Sequence, residues 1–169
     1  MVRHMKIFIT IICLLILVSC SPPDGPYETF YENGQLQERG HYKNGKEDGV
    51  WEMYNENGQL AFRENYKNGI VDGPYEWFYE NGQLDVRGNY KDGKEDGVSE
   101  KYYENGELEE RDNWKDGELD GLWESYHENG QLEIRGNLKE GESDGLWEYF
   151  DEDGNLTNTE EYKDGELID

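Results

Sequence analysis

Groups able to do covalent chemistry are scarce in this chain. Cys13 and Cys20 are its only thiols, and His4, His41 and His127 its only imidazoles. A nucleophile needs a base held beside it, and no Ser/His/Asp or Cys/His arrangement is suggested by these positions. The glycines fall at turn signals, with no phosphate-cradling loop among them. Carboxylates are plentiful, at 40 Asp plus Glu against 16 Lys plus Arg, a formal net charge of −24. Glu32, Glu56, Glu80, Glu104, Glu128 and Glu152 flank turn signals. They lack the closely alternating acidic ligands of a calcium loop and read as solvated. The expectation is a protein with no enzymatic activity, no cofactor and no metal site. Its charge opposes nucleic acid and anionic lipid headgroups and fits a basic protein partner.

Six copies of a 24-residue unit, without insertions, run from Asp24 to Leu167, beginning at Asp24, Asp48, Asp72, Asp96, Asp120 and Asp144. A fixed period of this length means a repeat array. Low hydrophobicity with high charge also marks disorder, but an aromatic at a fixed position in every unit argues against it. Each unit holds two turn signals, as at Glu56-Asn57-Gly58 and Lys67-Asn68-Gly69. Asn-Gly between apolar runs predicts a type I′ hairpin, with φ > 0 at both central residues. No apolar period of 3.6 residues appears after residue 20, so no helix is expected in the array. The predicted fold is all-β: an elongated single-layer antiparallel meander of about twelve strands, roughly 55–60 Å long.

Centring a turn on Asn81-Gly82 sets Tyr79 against Leu84, Trp77 against Val86, Tyr75 against Gly88 and Glu76 against Arg87. The same register pairs Met53 with Phe62, Ser125 with Ile134 and Trp123 with Gly136. An aromatic opposite a strand glycine covers exposed backbone. Five units pair Glu with Arg: Glu28–Arg39, Glu52–Arg63, Glu76–Arg87, Glu100–Arg111 and Glu124–Arg135. Such pairs fix register more than they add stability. Across the second turn, Tyr66 meets Val71 and Trp114 meets Leu119. One face of the second unit then collects Trp51, Met53, Leu60, Phe62, Tyr66 and Val71. The other carries the Glu–Arg pairs and an aromatic per unit, from Phe30 to Phe150, placed for cation–π contact with the arginines. The Asp-Gly opening each unit is a point for a kink or bulge.

A weaker 48-residue alternation exchanges Gly40, Gly88 and Gly136 with Glu64, Asp112 and Glu160 at one position of the unit. Duplication of a two-unit block accounts for it; a surface suited to a repetitive ligand is the alternative. The sixth unit is worn, with Thr159 in place of the arginine, which suits a polar terminal cap.

Residues 1–19 read as a secretion signal: Arg3 and Lys6, then an apolar run from Ile7 to Val18 that is short for a membrane span. Met5 is an alternative start. Leu17-Val18-Ser19-Cys20 resembles the lipobox of bacterial lipoproteins. That resemblance implies cleavage before Cys20, acylation of Cys20, a short tether at 20–23 and stable membrane anchoring. Ser21 rather than Asp after the cysteine implies the outer membrane if the organism is Gram-negative. An ordinary cleaved signal with an incidental Cys20 is the alternative. Cleavage before Cys20 would leave one cysteine, itself lipidated, and so no internal disulfide.

Gly88-Asn89-Tyr90-Lys91-Asp92-Gly93-Lys94-Glu95-Asp96-Gly97 resembles the core of a MORN repeat, and Gly40–Gly49 and Gly136–Gly145 match it in phase. Where a usual MORN repeat has a further glycine, this chain has Trp51, Tyr75, Ser99, Trp123 and Trp147. It is thus similar to the MORN-variant class labelled the YwqK-type antitoxin family. The resemblance implies a single-layer sheet acting as a scaffold for a protein or lipid. The leading expectation is a membrane-anchored, protein-binding lipoprotein of the cell envelope, with Trp51, Tyr75, Trp77, Tyr79, Trp123 and Trp147 as the candidate partner-binding face. Burial of these rings as the sheet's own core is the competing use. Toxin neutralisation, with a basic or toxic protein as partner, is a second function. Peptidoglycan or carbohydrate stacking on the aromatics is a third.

Overall fold

The computed structural model describes residues 22–169, and these form one antiparallel sheet of eighteen strands. The expected signal segment and Cys20 lie outside the described residues. Each repeat supplies a six-residue, an eight-residue and a two-residue strand. In the first repeat these are β1 (Gly25–Phe30), β2 (Leu36–Lys43) and β3 (Lys46–Glu47), and the second opens with β4 (Gly49–Tyr54) and β5 (Leu60–Lys67). The strands pair in chain order, as an open meander. The count exceeds twelve because Asp-Gly splits a long strand: the Asp48 N–H bonds the His41 carbonyl at 2.9 Å, and Gly49 takes a φ of 94°.

The two Asn-Gly turns differ. Asn68 and Gly69 both have positive φ, 54° and 80°, as a type I′ turn requires. In the other turn only the glycine does, Gly58 at 84°. There Asn57 Oδ1 accepts from the Gln59 N–H at 2.9 Å, and the Gly58 N–H bonds the Asn55 carbonyl at 2.8 Å. This longer turn shifts the register by one residue beside it. Phe78, not Tyr79, faces Leu84, and Asp85 is the extra residue of a bulge. The same shift sets Leu60 opposite Tyr54, so Leu60 belongs to the Glu–Arg face rather than with Trp51. The other predicted pairings, Trp77–Val86, Met53–Phe62, Ser125–Ile134, Tyr66–Val71 and Trp114–Leu119, are observed.

All five Glu–Arg pairs sit in register, and the row runs on between hairpins. Arg39 lies opposite Glu28 on one side and Glu52 on the other. The result is a ladder across the sheet from Glu28 to Glu148, closed by Thr159. Arg63 bonds both Glu52, at 3.0 Å, and Glu76, at 2.9 Å. Arg39, Arg87 and Arg135 turn instead to the next repeat's Glu52, Glu100 and Glu148. Arg39 and Arg87 also lie 5.8 and 5.5 Å from the ring centroids of Tyr54 and Tyr102. Glu52 is 8% exposed and accepts from Arg39, Arg63 and Tyr54. Burial alone would raise its pKa, but these bonds outweigh burial and hold it below the usual carboxylate range.

With one layer, side chains find cover only from their neighbours. Trp51 and Tyr75, at 5% and 3% exposed, are the buried apolar residues among those described. Three glycines let rings lie on the backbone. A Cβ on Gly40 would come within 2.3 Å of Trp51, one on Gly88 within 2.6 Å of Tyr75, and one on Gly136 within 2.2 Å of Trp147. The ring over Gly136 is therefore Trp147 of the following repeat, not the directly opposed Trp123. Gly136→Ala must displace the Trp147 indole. It is expected to cost about 1–3 kcal/mol in urea unfolding followed by tryptophan fluorescence. A loss below about 0.3 kcal/mol would show that the ring does not rest there.

Candidate functional site

Alternation along each strand separates two chemically different faces. On the ladder face every arginine meets a carboxylate, and Pro26, Val50, Pro74, Val98, Leu122 and Leu146 form an exposed column beside the ladder. The six residues are of mixed type, so the column carries no plain sequence signal. The opposite face carries the aromatics, and its charges are unbalanced. The register places Glu38, Glu47, Glu64, Glu95, Glu110 and Asp112 there, while Lys101 is its one cation in the first four repeats.

Five of the six candidate residues lie on this face. Trp51 packs against Tyr27 and Tyr42, with centroids 5.5 and 5.1 Å away. Tyr75 packs against Trp77 and Tyr90, at 5.7 and 4.8 Å. Trp123 packs against Trp147, at 5.6 Å. These are three lateral clusters rather than one stripe. Trp51 and Tyr75 are interior to their clusters, Trp123 and Trp147 are half-buried, and Trp77 is 41% exposed. Tyr79 lies at the turn. Its hydroxyl bonds the Tyr102 carbonyl of the next repeat at 2.6 Å, as Tyr31 and Tyr103 bond Tyr54 and Tyr126. Tyr79 thus joins repeats.

The fourth repeat interrupts the aromatics. Ser99 and Lys101 stand where the third repeat carries Tyr75 and Trp77, and Asp112 and Glu110 lie opposite them. The Ser99 hydroxyl donates to Asp112 Oδ2 at 3.2 Å, while Asp112 Oδ1 is enclosed with no hydrogen-bond partner. Glu110 accepts from the Trp123 indole at 2.9 Å. Lys101 is drawn to Glu109, at 2.8 Å. Burial, and then the Glu110 carboxylate, push the Asp112 carboxyl up to about 7. The sequence signal for this patch is Ser99 in a column otherwise aromatic. Its chemistry is legible only once three strands lie side by side.

Elsewhere on this face the acids are held by neutral donors. Glu64 accepts from the Tyr66 hydroxyl at 2.9 Å, and Glu95 from that of Tyr75 at 2.8 Å. Glu160 accepts from Tyr149 and Tyr162, each at 2.7 Å. Recesses of about 410, 480 and 400 Å³ lie along the turn edge, and all are lined by turn glutamates. Among the described residues, no group of three or more His, Cys, Asp or Glu is placed to hold a metal ion.

The family model described as "MORN repeat variant" matches residues 23–44, 47–68, 71–92, 95–116, 119–140 and 143–164. No curated protein matches the sequence. A solved structure described as "Crystal structure of GtfA/B complex bound to UDP and GlcNAc" aligns over 82% of this chain, at 14% identity and a TM-score of 0.26. The chain spans 24% of that structure's length.

An unfolded aspartate ionises near 4, whereas folded Asp112 keeps its proton to about 7. Between these values the folded chain binds more protons than the unfolded one. This group therefore makes the fold progressively less stable as pH rises from about 4 to about 7. Asp112→Asn is expected to raise the thermal midpoint by a few degrees at about pH 8 and leave it nearly unchanged at about pH 4. Circular dichroism melts at both values check this, and a lower midpoint at the higher pH would contradict the assignment.

Proposed function

Because the chain belongs to the MORN repeat variant family, we propose that it is a non-catalytic scaffold of the cell envelope that binds a protein through its aromatic face. The observation that carries this reading is the partition of the two faces. Ladder-face arginines and carboxylates satisfy one another. Among the described residues, the aromatic face offers rings and carboxylates with no opposing sheet or helix to cover them. Half-exposed rings on a rigid frame suit recognition, since they add contact area at little entropic cost. Nearest-neighbour bonds, such as Gly69 N–H to the Glu47 carbonyl at 2.8 Å, hold successive repeats in a fixed array.

Anchoring is proposed through lipid on Cys20, on the strength of Arg3, Lys6, the apolar run and Leu17-Val18-Ser19-Cys20. The family resemblance and the acidic face also fit a toxin-neutralising role against a basic protein. That would use the same face and differ only in the partner.

Two measurements test this reading. Cys20→Ala is expected to move the protein from the membrane to the soluble fraction, and unchanged fractionation would rule out the anchor. Crosslinking of the wild-type chain in intact envelopes is expected to recover one protein in fixed ratio, lost when Trp77 and Trp123 are both changed to Ala. Capture that survives this double change would rule out the aromatic face. Retention on purified peptidoglycan with no protein partner would favour glycan binding instead.

A further inference from the structure

We propose that the aromatic face docks an extended, arginine- and lysine-rich polypeptide segment, with Glu110 and Asp112 as its cation-binding centre between Trp77 and Trp123. This rests on the scaffold reading and names the partner's chemistry.

Charge complementarity carries the argument. The two faces divide the charge unequally: five arginines lie in the ladder, whereas Lys101 is the cation among the aromatic-face acids of the first four repeats. Lys101 lies opposite Glu110 but gives its bond to Glu109, at 2.8 Å, so its one positive charge is shared among several acids. The acids there are oriented by hydroxyl and indole donors, which fix a carboxyl's direction without adding positive charge. Trp123 Nε1 does this for Glu110, and Ser99 for Asp112. An arriving guanidinium supplies the positive charge and several donors in a planar fork.

The flanking rings select the same chemistry. Trp77 is 41% exposed, and Trp123 lies beside Glu110. Indole faces attract guanidinium by cation–π contact and by stacking. Four strand steps separate the two tryptophans, about 19 Å at the usual spacing, which an extended segment of about six residues spans. A neutral segment gains only the rings, and an acidic one meets repulsion along the whole face.

The test uses the full chain and three synthetic probes, octaarginine, octalysine and a neutral Gly/Ser octamer, titrated at about 0.15 M salt while tryptophan fluorescence is read. Saturable binding is expected in the order octaarginine, octalysine, neutral peptide. The paired change E110Q/D112N is expected to weaken octaarginine by about tenfold, and W77A by about threefold. The turn-edge pair E104Q/E128Q removes the same charge away from the centre and should change affinity less than twofold. Both charge pairs should retain the fold by circular dichroism, since neither removes an aromatic contact. Equal weakening by the two pairs would reduce the effect to net charge and overturn the proposal, as would absence of saturable binding. A crosslinked envelope partner that is acidic at its contact segment would overturn the cationic assignment and leave the scaffold reading standing.

Discussion

An arginine that slips one residue along its strand leaves its carboxylates and lands among the rings of the opposite face. The Glu–Arg ladder therefore ties the six- and eight-residue strands from Glu28 to Glu148 to one register. It crosses both kinds of strand boundary, since Arg39 lies opposite Glu28 within a hairpin and Glu52 between hairpins. Each exposed pair contributes little on its own. The ladder acts collectively, because one misplaced strand strands two carboxylates and exposes its neighbours to like charge. Glu52 shows how far this goes: held by two arginines and Tyr54, it is buried yet stays readily ionised.

A register fixed on one face leaves the other free to be built from large rings. Among the described residues those rings have no second layer, so they lean along the sheet, and the strand glycines provide the floor they lie on. Trp51 over Gly40 and Trp147 over Gly136 are contacts between successive repeats, while Tyr75 over Gly88 lies within one. Turn hydroxyls and turn glycines bond repeat to repeat in the same way. Stability of this kind is a sum of nearest-neighbour terms, so it grows with repeat number and needs no central core.

Much of this was legible in one unit of sequence. The facing pairs Trp77–Val86 and Glu76–Arg87 follow from counting outward from a turn, since a hairpin fixes pairing by arithmetic. The count failed at Tyr79 because two Asn-Gly turns that look alike close differently. Lys67-Asn68-Gly69 places two residues at positive φ, whereas Asn57 spends its side chain on the Gln59 N–H and leaves only Gly58 there. The sequence also could not say which repeat an arginine would serve. Arg39 has carboxylates on both sides, and only the packed sheet shows it turned towards Glu52. The fourth-repeat patch was hidden for a similar reason: Ser99, Glu110 and Asp112 acquire meaning as neighbours across strands, with Trp123 arriving from the next repeat.

The two faces spend their carboxylates differently, and that difference decides where recognition energy is available. A partner approaching the ladder face must break charge-assisted bonds such as Arg63 to Glu52 and Glu76 before it can form its own, so exchange there gains little. On the aromatic face the bonds to Glu64, Glu95 and Glu110 come from Tyr66, Tyr75 and Trp123. Neutral donors hold these carboxylates in place without cancelling their field, so an incoming cation can be added without displacing them. In a sheet whose net charge is strongly negative, placing all the ladder arginines on one face concentrates the excess on the other. The rings then lower the dielectric around that excess and strengthen its attraction for a cation beyond what solvated turn glutamates offer.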